Sequence, residues 1–222
     1  MRTMAKKLVA WGFPCVALVA GSLALAGEAQ KKLTVDEVLS KVDEAQTKVA
    51  DAQMDLEMEM KDTLSGSGRK MKGLVQLRDP DLVRVHYKSP EEQFLYIGGK
   101  KAQMYDPAQK MVYLQQGSAP VYIGVGKQLK QYVKTCKVTL TKDSGDEIEV
   151  LFIPKDKIAA GFDRMKVQVR KKDWWPGRLE METPSLRTKA RFSNFKFDQG
   201  LSEALFKFTP PKGVEVVDGA IF

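Results

Sequence analysis

The apolar positions change their spacing more than once along the chain. Val35, Val38, Leu39, Val42, Ala45, Gln46 and Val49 fall near helical spacing, with Lys, Asp and Glu between them. That pattern predicts an amphipathic helix of about fifteen residues with one face laid on something apolar. Thr34 and Glu37 stand three residues apart just before it, the spacing of a capping box. At Met54 the period drops to two. Met54, Leu56, Met58 and Met60 alternate with Asp55, Glu57, Glu59 and Lys61, which predicts a strand with one dry and one wet face. Ser65-Gly66-Ser67-Gly68 is a turn, and residues 72–77 continue as its partner strand. Further short strands are predicted at 82–87, 94–97, 102–105, 111–115, 137–141, 147–153, 164–170, 178–182, 188–197 and 206–209. Turn chemistry separates them: Gly98-Gly99, Asp106-Pro107, Ser144-Gly145-Asp146 and Trp175-Pro176-Gly177. Between Pro120 and Cys136 the strand period stops, and Tyr122, Val125, Leu129, Tyr132, Val133 and Cys136 lie at helix-like spacing among lysines. The expected architecture is an antiparallel meander that curls or closes, with amphipathic helices as lids at its ends or mouth.

The first residues bear on the compartment. Arg2, Lys6 and Lys7 precede a stretch from Leu8 to Ala26 with no charged residue, ending in Ala24-Leu25-Ala26. Small residues at 24 and 26 with polar residues behind them predict a secretory leader cleaved after Ala26. An uncleaved anchor is the competing reading, since the run approaches the length of a short membrane span; Pro14 and the A-x-A ending favour cleavage. Cys15 sits deep in the run and reads as part of the leader's core. Residues 27–222 then form a single domain, long enough for a sizeable core. The leader takes three cations and no acid, which lowers the formal net charge from +8 to +5. Cys136 is left as the one cysteine, so packing must hold the fold without an internal disulfide, and it reads as a buried small hydrophobe.

The chain is poor in catalytic parts. Its single histidine, His86, alternates with Val85 and Tyr87 and shares the wet face with Arg84, where no orienting acid or nucleophile setting accompanies it. Zinc would require several His or Cys ligands. Gly124 and Gly126 lack the strand–turn–helix setting of a nucleotide loop. The expectation is therefore no catalytic residue, no metal and no cofactor. Lysine-rich stretches (Lys127, Lys130, Lys134, Lys137 and Lys166, Arg170, Lys171, Lys172) suit nucleic acid in composition, but export points instead to an anionic membrane or an acidic protein.

Several stretches resemble the LolA family, the periplasmic carriers of outer-membrane lipoproteins. Gly73-Leu74-Val75-Gln76-Leu77-Arg78-Asp79-Pro80-Asp81-Leu82-Val83-Arg84-Val85 resembles the family segment in which a strand runs into an Arg-Pro turn and out again. Ser89-Pro90, Gly98-Gly99 and Tyr105-Asp106-Pro107 follow in the family's order. Phe206-x-Phe208-x-Pro210-Pro211-x-Gly213-Val214-x-Val216 resembles its terminal signature. The resemblance implies an α+β, mainly antiparallel fold: an incomplete β-barrel, or curled sheet, with α-helices as a lid over an apolar cavity. It implies a periplasmic, monomeric carrier of acylated lipoproteins. Such a carrier receives its cargo from an inner-membrane lipoprotein-releasing ABC transporter and delivers it to an outer-membrane acceptor. One departure stands out. The family's arginine directly precedes the turn proline and helps hold the lid, whereas here Asp79 fills that slot and Arg78 lies one residue earlier. A shift of one reverses the face unless a bulge absorbs it, and Arg78 is the candidate for the lid contact.

The dry faces supply the expected acyl-cavity lining: Leu56, Met58, Met60, Leu74, Val83, Val85, Phe94 and Tyr96. Eight of the ten methionines follow the leader, and methionine suits a surface that must adapt to a variable apolar guest; an ordinary filled core uses the same residues. Two other readings stay open, a same-fold carrier or sensor of another lipid or glycolipid of the envelope, and an enzyme of envelope lipids or glycans.

Overall fold

The computed structural model describes residues 32–78, 82–99, 101–116, 129–219 and 221. The leader, Asp79 with its turn, and most of the second predicted helix lie outside the described residues.

Thr34 starts helix α1 (Val35–Thr47) as expected, with its hydroxyl accepting from the Glu37 amide while the Glu37 carboxylate accepts from the Thr34 amide. Val38, Leu39, Val42 and Gln46 are buried along one stripe. Burying each apolar member contributes about 1.5–3 kcal/mol, against about 1 kcal/mol for the cap. Packing, more than the cap, therefore holds the helix.

The rest is a single sheet of twelve strands among the described residues: β1 (Asp51–Asp62), β2 (Gly68–Arg78), β3 (Leu82–Ser89), β4 (Gln93–Gly98), β5 (Lys101–Asp106), β6 (Met111–Gln116), β7 (Cys136–Ser144), β8 (Glu147–Pro154), β9 (Arg164–Arg170), β10 (Pro176–Glu182), β11 (Leu186–Phe197) and β12 (Glu215–Asp218). Their order is β12-β6-β5-β4-β3-β2-β1-β11-β10-β9-β8-β7. All neighbours are antiparallel except β12 and β6, which run parallel. β7 and β12 stand at opposite edges, so the sheet curls without closing. A turn of 3-10 helix (Leu129–Gln131) leads into α2 (Tyr132–Thr135), and α3 (Lys157–Ala160) follows β8.

The expectation of a strand at 206–209 is corrected. Ser202 caps a 3-10 helix over Glu203–Phe206, and the chain then runs extended without pairing. Phe206 and Phe208 alternate as in a strand, but Pro210 and Pro211 cannot donate to a ladder. The final strand forms later, as β12.

One bulge decides which face the end of β11 presents. Between Asp55 and Gln53 on β1, β11 carries an extra residue; Asn194 there has φ +52° and donates to the Asp55 carboxylate at 2.7 Å. Asparagine tolerates this left-handed conformation. Thr188, Ala190 and Phe192 face inward before the bulge, and Phe195 and Phe197 do so after it. Without the extra residue both phenylalanines would turn to the other face.

Candidate functional site

Strand pairing defines the inner face of the sheet. Ala52, Met54, Leu56, Met58 and Met60 on β1 stand beside Leu77, Val75, Gly73, Met71 and Arg69 on β2. Val83, Val85 and Tyr87 extend the surface on β3, with Leu95 and Ile97 on β4. On the other side of β1 it continues through Leu179 and Met181, then Met165, Val167 and Val169, then Ile148, Val150 and Phe152. These inward side chains and the buried stripe of α1 belong to one apolar cluster.

Five expected lining residues, Leu56, Met58, Met60, Val83 and Val85, share this inner face. Leu74, Phe94 and Tyr96 do not, and their assignment is corrected. Leu74 alternates with Gly73 and Val75, and the register pairs it with His86 on the outer face; Phe94 and Tyr96 pair with His86 and Arg84 there. Residues 94–97 are apolar at both parities, so period two could not choose their face. At Gly73 the inner position has no side chain to mark it. A Cβ there would come within 2.3 Å of the His86 carbonyl oxygen, because β3 bulges toward β2 at this point.

Part of the inner face is filled by its own lids. Tyr132 of α2 stands edge-on to Phe152 and Phe162, with ring centres 6.1 and 5.8 Å apart. Trp175 packs on Phe195 and Phe197, and the Lys41 ammonium of α1 lies 4.8 Å from the Trp174 ring. Cys136 is buried as expected, and burial raises its thiol above the usual range. Near the β1–β2 turn, by contrast, a groove of about 310 Å³ opens against Met60, Arg69 and Leu186. The Arg69 guanidinium is 3.7 Å from the Met60 sulfur. Deeper in, burial pushes the Tyr87 hydroxyl above its ordinary range, partly offset by the charge of Arg69. A second groove of about 390 Å³ crosses β2, β1, β11 and β10. Its lining combines the inward apolar Met58, Met71, Leu179 and Ala190 with flanking charged residues such as Lys70, Lys189 and Arg191.

The outer face of β3–β5 is covered by the chain's own end. The Asp51 carboxylate accepts from the amides of Gln199 and Leu201, and Asp198 accepts from the Ala50 amide. Phe206 is buried, and Phe208 stacks on Tyr96 and Tyr105 with ring centres 4.8 and 5.3 Å away. Arg78 belongs to this arrangement. Its guanidinium donates to the Leu201 carbonyl oxygen, so among the described residues its contact is to the C-terminal strap. Arg78 shares the parity of Leu74 and Gln76, which face outward; most of the second predicted helix, the other expected lid, lies outside the described residues. His86 is on the outer face as expected. It is stacked on Phe94 at 4.4 Å and joined to Glu92 at 2.8 Å, less solvated than its wet-face parity suggests.

The family model for the outer membrane lipoprotein carrier protein LolA matches residues 52–209, which runs from the start of β1 to the strap. The chain belongs to the LolA family. The outer-membrane lipoprotein carrier protein of Pseudomonas aeruginosa is 27% identical to it over 167 residues, 70% of this chain and 76% of that protein. The protein of the same description from Azotobacter vinelandii is 27% identical over 164 residues, covering 70% and 77%. Among solved structures, an uncharacterized conserved protein from Thermus thermophilus superposes with a TM-score of 0.56 at 17% identity, covering 83% of this chain and 98% of that one. At that identity the likeness concerns the fold alone. The curled, helix-lidded sheet is thus the LolA-family architecture. The strap's phenylalanines, whose packing partners lie more than a hundred residues earlier, carried much of the sequence resemblance.

Proposed function

We infer that this protein is a periplasmic carrier that shelters the acyl chains of lipoproteins between the inner face and its lids. One observation carries the reading. All eight methionines after the leader, at 54, 58, 60, 71, 104, 111, 165 and 181, fall on the inward parity of the sheet, and seven of them are buried. Methionine is unbranched and polarisable, so a surface built from it repacks around guests of different shape. An acyl chain gains about 0.8 kcal/mol for each buried methylene, and a rigid, perfectly fitted cavity would hold a multiply acylated anchor too tightly to release it. A soft lining gives shelter with reversibility. In this reading residues 1–26 are removed on export and the mature chain diffuses as a monomer. It accepts cargo from an inner-membrane lipoprotein-releasing ABC transporter and passes it to an outer-membrane acceptor. The lining consists of Leu56, Met58, Met60, Val83 and Val85, with no catalytic group required.

Native mass spectrometry of the mature protein from a periplasmic extract tests the reading. The expected result is a co-purified acylated lipoprotein. A free lipid or glycolipid of defined mass would transfer the site to that cargo. A ligand-free protein that also fails to take up a fluorescent fatty-acyl probe would overturn the carrier function. Met58→Glu, which places a charge on the inner face, should reduce probe uptake at least tenfold while leaving the β-sheet circular dichroism intact.

A further inference from the structure

α1 turns four residues fully inward, and one of them is polar. Gln46 stands one turn beyond Val42 and two turns beyond Leu39 on the same stripe. It is only 6% exposed, and among the described residues neither its amide oxygen nor its amide nitrogen has a hydrogen-bond partner. Elsewhere the fold satisfies its buried polar side chains. Gln76 donates to Gln53 and accepts from Arg84. Asp51 accepts from two backbone amides of the strap, and Asp106 from Gln93 and the Gln109 amide. Gln46 departs from that practice on the surface that faces the apolar interior.

Packing does not explain the choice. Leucine has nearly the same volume, favours helix as strongly, and would fill the stripe without leaving a donor and an acceptor unpaired. Such groups in native proteins call for a reason. A primary carboxamide offers a donor and an acceptor side by side. A trans secondary amide presents its N–H and its carbonyl oxygen on opposite edges, so one such group meets the carboxamide through one edge; an ester or a carboxylate lacks the N–H that the amide oxygen could accept from.

We propose that Gln46 is a polar docking point for an N-acyl amide of the cargo. Its Oε1 accepts from the N–H of the ligand amide, and its Nε2 is left to donate to a neighbouring carbonyl oxygen of the cargo. The inference rests on the acyl-carrier reading and deepens it by naming the part of the cargo that sits beneath α1: the link between a fatty chain and a polypeptide. The need is mutual, because a ligand amide drawn into an apolar interior also loses its water and must be paired there.

The test uses the mature protein and two probes with the same chain, N-methylpalmitamide and methyl palmitate, each displacing a fluorescent fatty-acyl reporter. Gln46→Leu should weaken the amide about tenfold, the scale of one good hydrogen bond, while the ester changes less than twofold. The same variant without ligand should melt about 2–4 °C higher, because an unpaired buried group is gone. Gln46→Met, unbranched and of similar length, should repeat both results if Leu packs poorly. Equal effects on the two probes, or no effect on either, would overturn the Gln46 site while leaving the carrier intact; so would a lower melting temperature in both variants. Failure of both probes to displace the reporter from the wild type would overturn the carrier reading and this inference together.

Discussion

The two halves of the sheet solve the same problem differently. In β8 and β9 burial alternates residue by residue. The inner positions are Ile148, Val150, Phe152, Met165, Val167 and Val169, while outer charges pair across strands, as in Arg164–Glu182 at 2.6 Å and Lys166–Glu149 at 3.4 Å. In β4 and β5 both parities carry large apolar groups. Leu95, Ile97 and Met104 face inward, and Phe94, Tyr96 and Tyr105 face outward beneath the strap or beside it. A one-sided strand marks a face that meets water. A two-sided strand marks a face covered by something else, and here the cover is a segment of the same chain.

The comparison breaks most visibly at Phe152. Its side chain is fully buried on the inner face, so Phe152→Ala should destabilise the protein by about 3–5 kcal/mol through lost transfer energy and a residual cavity. The neighbouring Leu151 lies on the outer face and is only partly buried, and Leu151→Ala should cost about 1 kcal/mol or less. Urea unfolding at neutral pH measures both. Comparable losses at the two positions would mean that this half is not one-sided.

Gly73→Ala comes next. The new Cβ would meet backbone, the His86 carbonyl oxygen and Tyr87 Cα, so β2 and β3 would have to separate at the bulge. The expected cost is about 1–3 kcal/mol, typical of overpacking. An unchanged urea midpoint would show that the bulge is soft.

This contrast also explains what could be read from the chain itself. The capping box, the first helix and eleven of the strands were visible because their periods and turn residues agree at every level. The inner parity of Met58, Met60, Val83 and Val85 was visible because Glu57, Glu59 and Lys61 alternate with the first two, and Arg84 and His86 with the others. Phe94 and Tyr96 were placed on the wrong face because their neighbours Leu95 and Ile97 are equally apolar, and pattern alone does not reveal that a strap covers the outside. The bond from Arg78 to Leu201 was hidden for the same reason, since the two are remote in sequence. β12 is short and pairs parallel with a strand about a hundred residues earlier, which leaves no local signal. Gln46 was visible as a member of the inward stripe, but only the structure shows that its amide is unpaired.

The strap sharpens the comparison from the other side. Phe208→Ala removes two ring contacts, on Tyr96 and Tyr105, worth about 0.5–1.5 kcal/mol each. Stability should fall by about 1–3 kcal/mol, toward the lower end because Phe208 is only partly buried, and fatty-acyl probe affinity should stay within twofold because the contact lies on the outer face, away from the proposed lining. A loss of affinity without a loss of stability would mean that the strap takes part in binding.

The smallest effect concerns the polar face of the one-sided half. Glu149 accepts from the Thr141 hydroxyl, is approached by the Gln168 amide, and pairs with Lys166. The Thr141 bond is the main reason its carboxyl is held below the usual range, with burial opposing. A carboxyl whose folded pKa is depressed contributes stability that is present above its unfolded pKa of about 4.5 and disappears as pH falls through the lower folded value. Glu149→Gln should therefore be slightly less stable than wild type at pH 7, and the gap should narrow below pH 4.5 as the wild-type carboxylate takes up its proton. Urea midpoints of both proteins at neutral and acid pH decide the matter. A gap that is constant with pH would assign the contribution of Glu149 to packing, and the outer charges of β8 and β9 would then be a solvated coat rather than a network that holds the strands together.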